Sequence, residues 1–170
     1  RALTKVTTGS SNVAVGSGTI ELNTTGSDNT GLGYLALYAN TTGSNNTAVG
    51  KSALAANTTA DNNTAVGKDA LLANTTGTRN VALGTFALDS NTTANDNTGL
   101  GYGALATNTT GANNTAVGSS ALVANTTGHD NTAVGMDAAK SMTTGEENVI
   151  VGHKAGDALT DADYNVAVGR

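Results

Sequence analysis

Four carboxylates near the carboxyl end of the chain have the residue types and the spacing of a cation site. They are Asp130, Glu146, Glu147 and Asp163, and they fall at the last two positions of a 17-residue repeat. Stacked repeats would bring them to one edge, where clustered oxygens suit a hard cation such as Ca²⁺. The alternative is that they are solvated turn residues that repel one another mildly, and we favour this alternative.

No combination of residues is typical of an active site. His129 and His153 fall at different repeat positions, and neither has a metal-ligand partner at local spacing. The segment 31–33 reads Gly-Leu-Gly but lacks the third glycine and the following helix of a dinucleotide site. The chain has no Cys, which excludes disulfides, thiolate metal sites and cysteine nucleophiles. We therefore expect neither an enzyme nor a cofactor.

One group of residues could contact a receptor. Tyr34, Tyr38, Lys51 and Lys68 form the one cluster of aromatic and basic residues along the chain. Tyrosine is a frequent anchor in protein interfaces. The alternative, which we favour, is that these are scattered surface residues without a common partner.

Composition and charge restrict the possible partners. The chain has 170 residues, of which 3% are aromatic and 12% charged, with 22 Gly and no Pro. A net charge of −5 argues against nucleic acid or an anionic membrane as a partner. No apolar run approaches the roughly 18 residues that would span a bilayer, so we expect no membrane insertion.

A single repeat accounts for the whole chain. Asparagine opens ten copies of the unit NTAVGxxALxxNTTGxx, spaced 17 residues apart from Asn12 to Asn165 without insertion or deletion. We number the positions of the unit from this asparagine. Its fixed positions, one, four, five, nine and twelve, are represented in one copy by Asn46, Val49, Gly50, Leu54 and Asn57. Fixed positions predict ladders of like residues in stacked coils, and variable positions predict surface.

The pattern within the unit predicts strands and turns. Thr, Asn and Gly are poor helix formers, and NTAVG alternates with the period of a strand. We expect a second short strand in ALxxN, and a turn in NTTG with a left-handed glycine at position fifteen. The sequence thus predicts an all-β fold, a parallel β-solenoid (β-roll) of ten 17-residue coils. At about 4.8 Å per coil, the rod would be about 48 Å long.

Residues 1–170 form a single predicted repeat domain, in which repeats 131–164 are atypical. Ala139 and Gly156 replace the leucine at position nine, and Met142 and Leu159 replace the asparagine at position twelve. The chain begins and ends within a repeat, so we expect it to be a segment of a longer array.

The predicted core is thin. Each coil offers Val or Leu at position four and Leu at position nine, against a large entropic cost of ordering the backbone. Position three is almost always Ala or Gly, as at Ala48, which would let three chains approach closely. We therefore favour a homotrimer over a monomer.

The NTT triplets allow two further interpretations. Seven asparagines open N-x-T glycosylation sequons: Asn23, Asn40, Asn57, Asn74, Asn91, Asn108 and Asn125. We favour the alternative that the triplets form amide and hydroxyl ladders along the rod. The threonines after them, Thr24 through Thr126 at 17-residue intervals, would also form a flat array that resembles an ice-binding surface. Ice binding by a monomeric solenoid is therefore an alternative function.

The segment Thr47-Ala48-Val49-Gly50 followed by Ala53, which recurs in nearly every copy, resembles the head repeats of YadA-type trimeric autotransporter adhesins. That family has a shorter unit, and the longer unit here resembles repeats of phage tail fibres and large bacterial surface proteins. The resemblance implies a left-handed, trimeric roll. It implies an extracellular location on a cell surface or virion tail fibre, and a host-surface glycan or protein as receptor.

The most consistent function is a non-enzymatic structural and adhesive fibre segment that supplies length, stiffness and a binding surface. Besides ice binding, a further alternative is a subunit that stacks end to end into filaments, because end coils leave strand edges unpaired.

Overall fold

A computed structural model describes all of residues 1–170 and contains one short strand in every repeat, with turns between the strands. The strands, each three residues long, pair in parallel and in chain order into one ten-stranded sheet. They are β1 (Val13–Val15), β2 (Thr30–Leu32), β3 (Thr47–Val49), β4 (Thr64–Val66), β5 (Val81–Leu83), β6 (Thr98–Leu100), β7 (Thr115–Val117), β8 (Thr132–Val134), β9 (Val149–Val151) and β10 (Val166–Val168). The prediction of an all-β parallel solenoid with 17-residue coils is confirmed. None of its segments is a helix long and apolar enough to cross a membrane.

The register of the sheet places equal repeat positions side by side. Between β3 and β4, Thr47 pairs with Thr64, and Val49 pairs with Val66. Every other neighbouring pair of strands has the same 17-residue offset, as between β7 and β8. The predicted ladders of like residues are therefore present along the whole sheet.

The second predicted strand is absent, and this part of the prediction was wrong. Positions six to eleven form turns in which two residues are left-handed, for example Ser52 with φ 57° and Leu54 with φ 52°. This curl directs the neighbouring Ala53 and Leu54 both into the coil, whereas a strand would point them to opposite sides. The backbone still bonds from coil to coil, since Leu54 N donates to Ala70 O at 3.0 Å.

The core contains leucine from position nine and small residues from positions three and eight. Leu54, Ala48 and Ala53 are all fully buried, and a continuous apolar cluster of such residues extends along the rod. Val49, expected in the core, instead faces outward and is half-buried. The expectation that position three contacts other chains was also wrong, because Ala48 lies inside its own coil. A 17-residue coil that contains a leucine leaves room only for a small residue on the inner side of the strand.

The atypical repeats keep the coil by exchanging volume between positions. Gly156 leaves the leucine space of its coil empty, and Ile150 occupies position three of the same coil in place of alanine. A Cβ added to Gly156 would lie 3.2 Å from two side-chain atoms of Ile150. The isoleucine therefore fills the space that the missing leucine side chain leaves.

Glycine at position five is required by the backbone. All ten of these glycines have φ between 131° and 142°, a region that L-residues rarely adopt. A Cβ on Gly67 would also lie 2.6 Å from the carbonyl carbon of Gly84 in the next coil. At position fifteen, by contrast, no glycine has a positive φ, and the left-handed residue of that turn is at position seventeen, such as Asn62. The expectation of a left-handed glycine at fifteen was therefore wrong.

Two glycine substitutions separate backbone conformation from crowding. Gly67→Ala should lower the free energy of unfolding by about 3 kcal/mol, because alanine would be strained at this φ. Gly77→Ala, at position fifteen, should cost less, since alanine already occupies that position at Ala60 and Ala94. Urea denaturation of both variants measures the difference. Equal losses would contradict the assignment.

Candidate functional surfaces

Asparagine at position one ties each coil to its neighbours from the inside. Asn46 is fully buried, and its Nδ2 donates to the backbone oxygen of Ala60 in the same coil at 2.8 Å. Its Oδ1 accepts from the backbone nitrogen of Asn63 in the next coil at 3.0 Å. One side chain thus closes its own coil and holds the next, which explains why every repeat has asparagine here.

Asparagine at position twelve forms a second buried ladder. Asn57 Nδ2 donates to Ala60 O at 3.0 Å and to Asn40 Oδ1 at 2.8 Å. A single backbone oxygen in each coil therefore accepts from both ladders. The second ladder stops where Met142 replaces asparagine, and the buried Oδ1 of Asn125, one coil earlier, has no hydrogen-bond partner.

These contacts determine what the NTT triplets do in the folded chain. All seven sequon asparagines are fully buried, and each donates its amide nitrogen to a backbone oxygen three residues on: Asn23, Asn40, Asn57, Asn74, Asn91, Asn108 and Asn125. The threonine hydroxyls at position thirteen are also engaged, as Thr58 Oγ1 donates to Thr75 O at 3.1 Å. The interpretation of the triplets as amide and hydroxyl ladders is confirmed. These hydroxyls are therefore not the free array that an ice-binding surface needs.

The strands present an apolar surface to solvent. We define the apolar face as the side chains at positions two and four of every repeat, which point out of the coil. It includes Leu32, Leu83 and Leu100, which are 45%, 41% and 39% exposed. With the exception of Tyr164, all exposed large apolar side chains of the chain lie at position two, four or six. The most apolar part of the surface is therefore one continuous side of the sheet.

The structure separates the four proposed receptor-binding residues into two rows. Tyr34, Lys51 and Lys68 occupy position six in successive coils and are all exposed, whereas Tyr38 lies at position ten and is half-buried. The row continues with two aromatic residues that the sequence analysis missed. Phe86 lies 4.8 Å beneath the Lys68 ammonium, and its ring meets that of Tyr102 edge to face at 5.9 Å.

The register of the repeat could have revealed this extension of the row, because Tyr102 shares position six with Tyr34. Phe86 follows at position seven of the coil between Lys68 and Tyr102. No cavity accompanies this row, and none is found elsewhere in the structure.

Three of the four carboxylates of the candidate calcium site, those of Asp130, Glu146 and Asp163, contact other groups. His129 lies between two of them, with Nδ1 2.7 Å from Asp130 Oδ2 and Nε2 3.1 Å from Glu146 Oε1. Asp163 Oδ1 accepts from the backbone nitrogen of Glu146 at 2.8 Å. No three acidic or histidine side chains of the chain come close enough to hold a metal ion together. The contacts give the calcium hypothesis no geometric support.

Two exposed groups of charged side chains change the pKa values of the residues involved. The hydrogen bond to Asp130, together with the negative charge of Glu146, raises the pKa of His129. In another coil, the hydrogen bond from Arg79 lowers the pKa of Asp96, and the two side chains meet through two contacts of 2.6 and 2.8 Å. Partial burial raises the pKa of Asp89.

One asparagine and one threonine of the same triplet test the buried ladder. Asn74→Ala should lower the free energy of unfolding by about 2–3 kcal/mol, because it leaves buried groups of Gly77, Asn57 and Asn91 without this partner. The control Thr76→Ala alters an exposed residue and should change it by less than about 0.5 kcal/mol. Thermal and urea denaturation give both values. Similar losses would show that the ladder does not stabilise the coil.

His129 should make stability fall as the pH rises. Because its pKa is raised in the folded chain, protonation favours folding below the unfolded pKa of about 6.5. This contribution is lost as the pH rises through the higher folded value. In Asp130→Asn, which keeps a residue suited to the left-handed backbone here, the pKa of His129 should fall. A proton NMR titration of the ring measures the pKa of His129 in the parent chain and in the variant. An unchanged pKa in the variant would refute the assignment.

No family model, curated protein or solved structure matches the chain.

Proposed function

We propose that the chain is a non-enzymatic segment of a trimeric, extracellular fibre, on a cell surface or a virion tail. In this proposal the segment supplies length and stiffness and presents a surface to a host glycan or protein. The apolar face carries the proposal. A monomeric soluble protein rarely leaves a large continuous apolar patch in water, and such patches mark interaction sites.

The shape of the apolar face favours copies of the same chain as the occupant. The face follows all ten strands without interruption, so a partner must match it over about 48 Å. A second and a third solenoid have the same length and the same coil spacing. Three chains side by side would cover the valines and leucines of all three faces in one interior, as in a symmetric closed assembly.

The repeat itself supports a mechanical role. Backbone ladders, an asparagine ladder at position one and a threonine ladder bond each coil to the next, and a second asparagine ladder at position twelve joins the coils as far as Asn125, with no linker between coils. The resemblance to adhesin and tail-fibre repeats adds the left-handed roll and the extracellular location to the proposal. In this arrangement the row that contains Tyr34, Lys51 and Lys68 borders the apolar face and is where we place receptor contacts.

One observation favours ice binding as a second candidate function. Threonine occupies position two of the apolar face in six coils, at the spacing of neighbouring strands: Thr30, Thr47, Thr64, Thr98, Thr115 and Thr132. These hydroxyls belong to a different row from the engaged position-thirteen threonines. An ice-binding surface must be exposed, so this function requires a monomer.

Light scattering on the eluting peak distinguishes these functions. The fibre proposal requires a mass near three times 16.6 kDa, and ice binding requires 16.6 kDa together with thermal hysteresis at millimolar protein. A large, polydisperse mass would instead indicate end-to-end filaments.

A charge on the apolar face should dissociate the trimer. Leu83→Glu places a carboxylate among apolar side chains that three chains would bury, so the variant should elute as a folded monomer. Thr93→Glu, a change at an exposed residue outside the apolar face, should remain trimeric. Light scattering gives the mass, and circular dichroism shows that the coil persists. A trimeric Leu83→Glu variant would exclude this face as the interface.

A further inference from the structure

The chain carries a second, longer period of four coils. The segment 29–34, NTGLGY, recurs as 97–102, which is 68 residues later. Valine replaces threonine at position two at the same interval, in Val13, Val81 and Val149, and once outside that interval, in Val166 of the last coil. An acidic residue occupies position ten in these same three coils: Glu21, Asp89 and Asp157. The coils therefore share one backbone shape, but the types of some side chains recur every four coils.

On the apolar face, this period becomes a pattern along the rod. The valines at Val13, Val81 and Val149 point outward and are 54%, 40% and 41% exposed. Three threonine coils separate each of them from the next, as in β2, β3 and β4. The face thus presents a methyl-only layer about every 19 Å, with hydroxyl-bearing layers between, and Val166 adds one more methyl-only layer next to Val149 at the end of the rod.

We propose that this four-coil pattern sets the axial register of the chains in the fibre, so that each coil meets the same coil of the other copies. The inference rests on the trimer proposed above. Three threonines that meet in one layer can each donate and accept a hydrogen bond. A valine layer needs no such partner, whereas a mixed layer leaves buried hydroxyls unpaired, which is costly.

A shift of one chain along the rod breaks this matching. A one-coil shift sets valine against threonine in four of the nine layers that remain, a two-coil shift in five of eight, and a three-coil shift in five of seven. A four-coil shift mismatches one of six, but it uncovers four layers at each end. Position four opposes that shift as well, since Leu83 would meet the valines of coils that carry Val15 and Val151.

Identical coils alone would not provide this discrimination. The ladders of Asn46 and Asn57 lie inside each coil, where a neighbouring chain does not contact them, so they cannot report which coil of a neighbour lies alongside. The backbone spacing is also uniform along the sheet. Only the side chains that point outward can distinguish one level from another for a neighbouring chain.

Distances between spin labels test the register. The chain has no Cys, so Thr42→Cys and Thr110→Cys each introduce a single labelling site, on exposed position fourteen and away from the apolar face. In a trimer with aligned chains, nitroxide labels on equivalent residues give one narrow distance by pulsed electron resonance, and that distance is the same for both sites. Staggered chains give two or more distances.

A triple variant tests the cause. Val13→Thr, Val81→Thr and Val149→Thr together make position two uniform along most of the rod, and should broaden or split the distance while the mass stays trimeric. The control changes the same residues to isoleucine and should keep the single distance. If the triple variant does not trimerise, Val81→Thr alone is measured, with a partial broadening expected.

The outcomes separate the two proposals. A trimer with several distances in the parent chain, or a single distance that survives removal of the valines, overturns the register proposal and leaves the trimer in place. A monomer overturns both. One narrow distance in the parent and in the isoleucine control, lost in the threonine variant, supports the register proposal.

Discussion

The narrowness of a 17-residue coil governs the rest of the structure. Only one large apolar side chain, such as Leu54, fits inside each such level, so a small residue occupies the inner side of the strand wherever leucine is present. In the turn that closes the coil, the backbone oxygen at position fifteen, such as that of Ala60, accepts no backbone hydrogen bond. The buried amides of Asn46 and Asn57 both donate to this oxygen instead. Since buried polar groups that lack partners are costly, the asparagines are as necessary to the core as the leucine.

The sequence predicts the features of the fold that follow from the 17-residue interval. It misses those that depend on which side of the strand faces the core. A constant interval of 17 residues is enough for parallel coils in register, and fixed asparagines are enough for ladders. Alternation in β3 shows that Val49 and Ala48 lie on opposite sides, but not which side is inside. Hydrophobicity favours Val49 inside the coil, but the space inside the coil admits only the smaller Ala48. The left-handed backbone at Leu54 could not be predicted from the residue type, because leucine rarely adopts this conformation.

The same reasoning applies to the surfaces. Tyr34, Lys51 and Lys68 could be placed in one row from the repeat alone, since they share position six. The repeat also places His129 at position sixteen, in one column with Glu146 and Asp163, but it does not show that the imidazole contacts Asp130 and Glu146. The sequence did not reveal the apolar face, because its residues are those expected inside the coil. Their exposure becomes visible only in the folded structure.

The left-handed residues have a consequence for assembly and length. Residues such as Ser52 and Leu54 adopt a backbone that is unfavourable in a free chain, and only bonding to an adjacent coil offsets this. A coil therefore folds against a neighbouring coil that is already folded, so folding proceeds along the rod one coil at a time. Whole coils can be gained or lost without altering the interior of those that remain. The length of the rod therefore increases by about 4.8 Å for each repeat in the sequence.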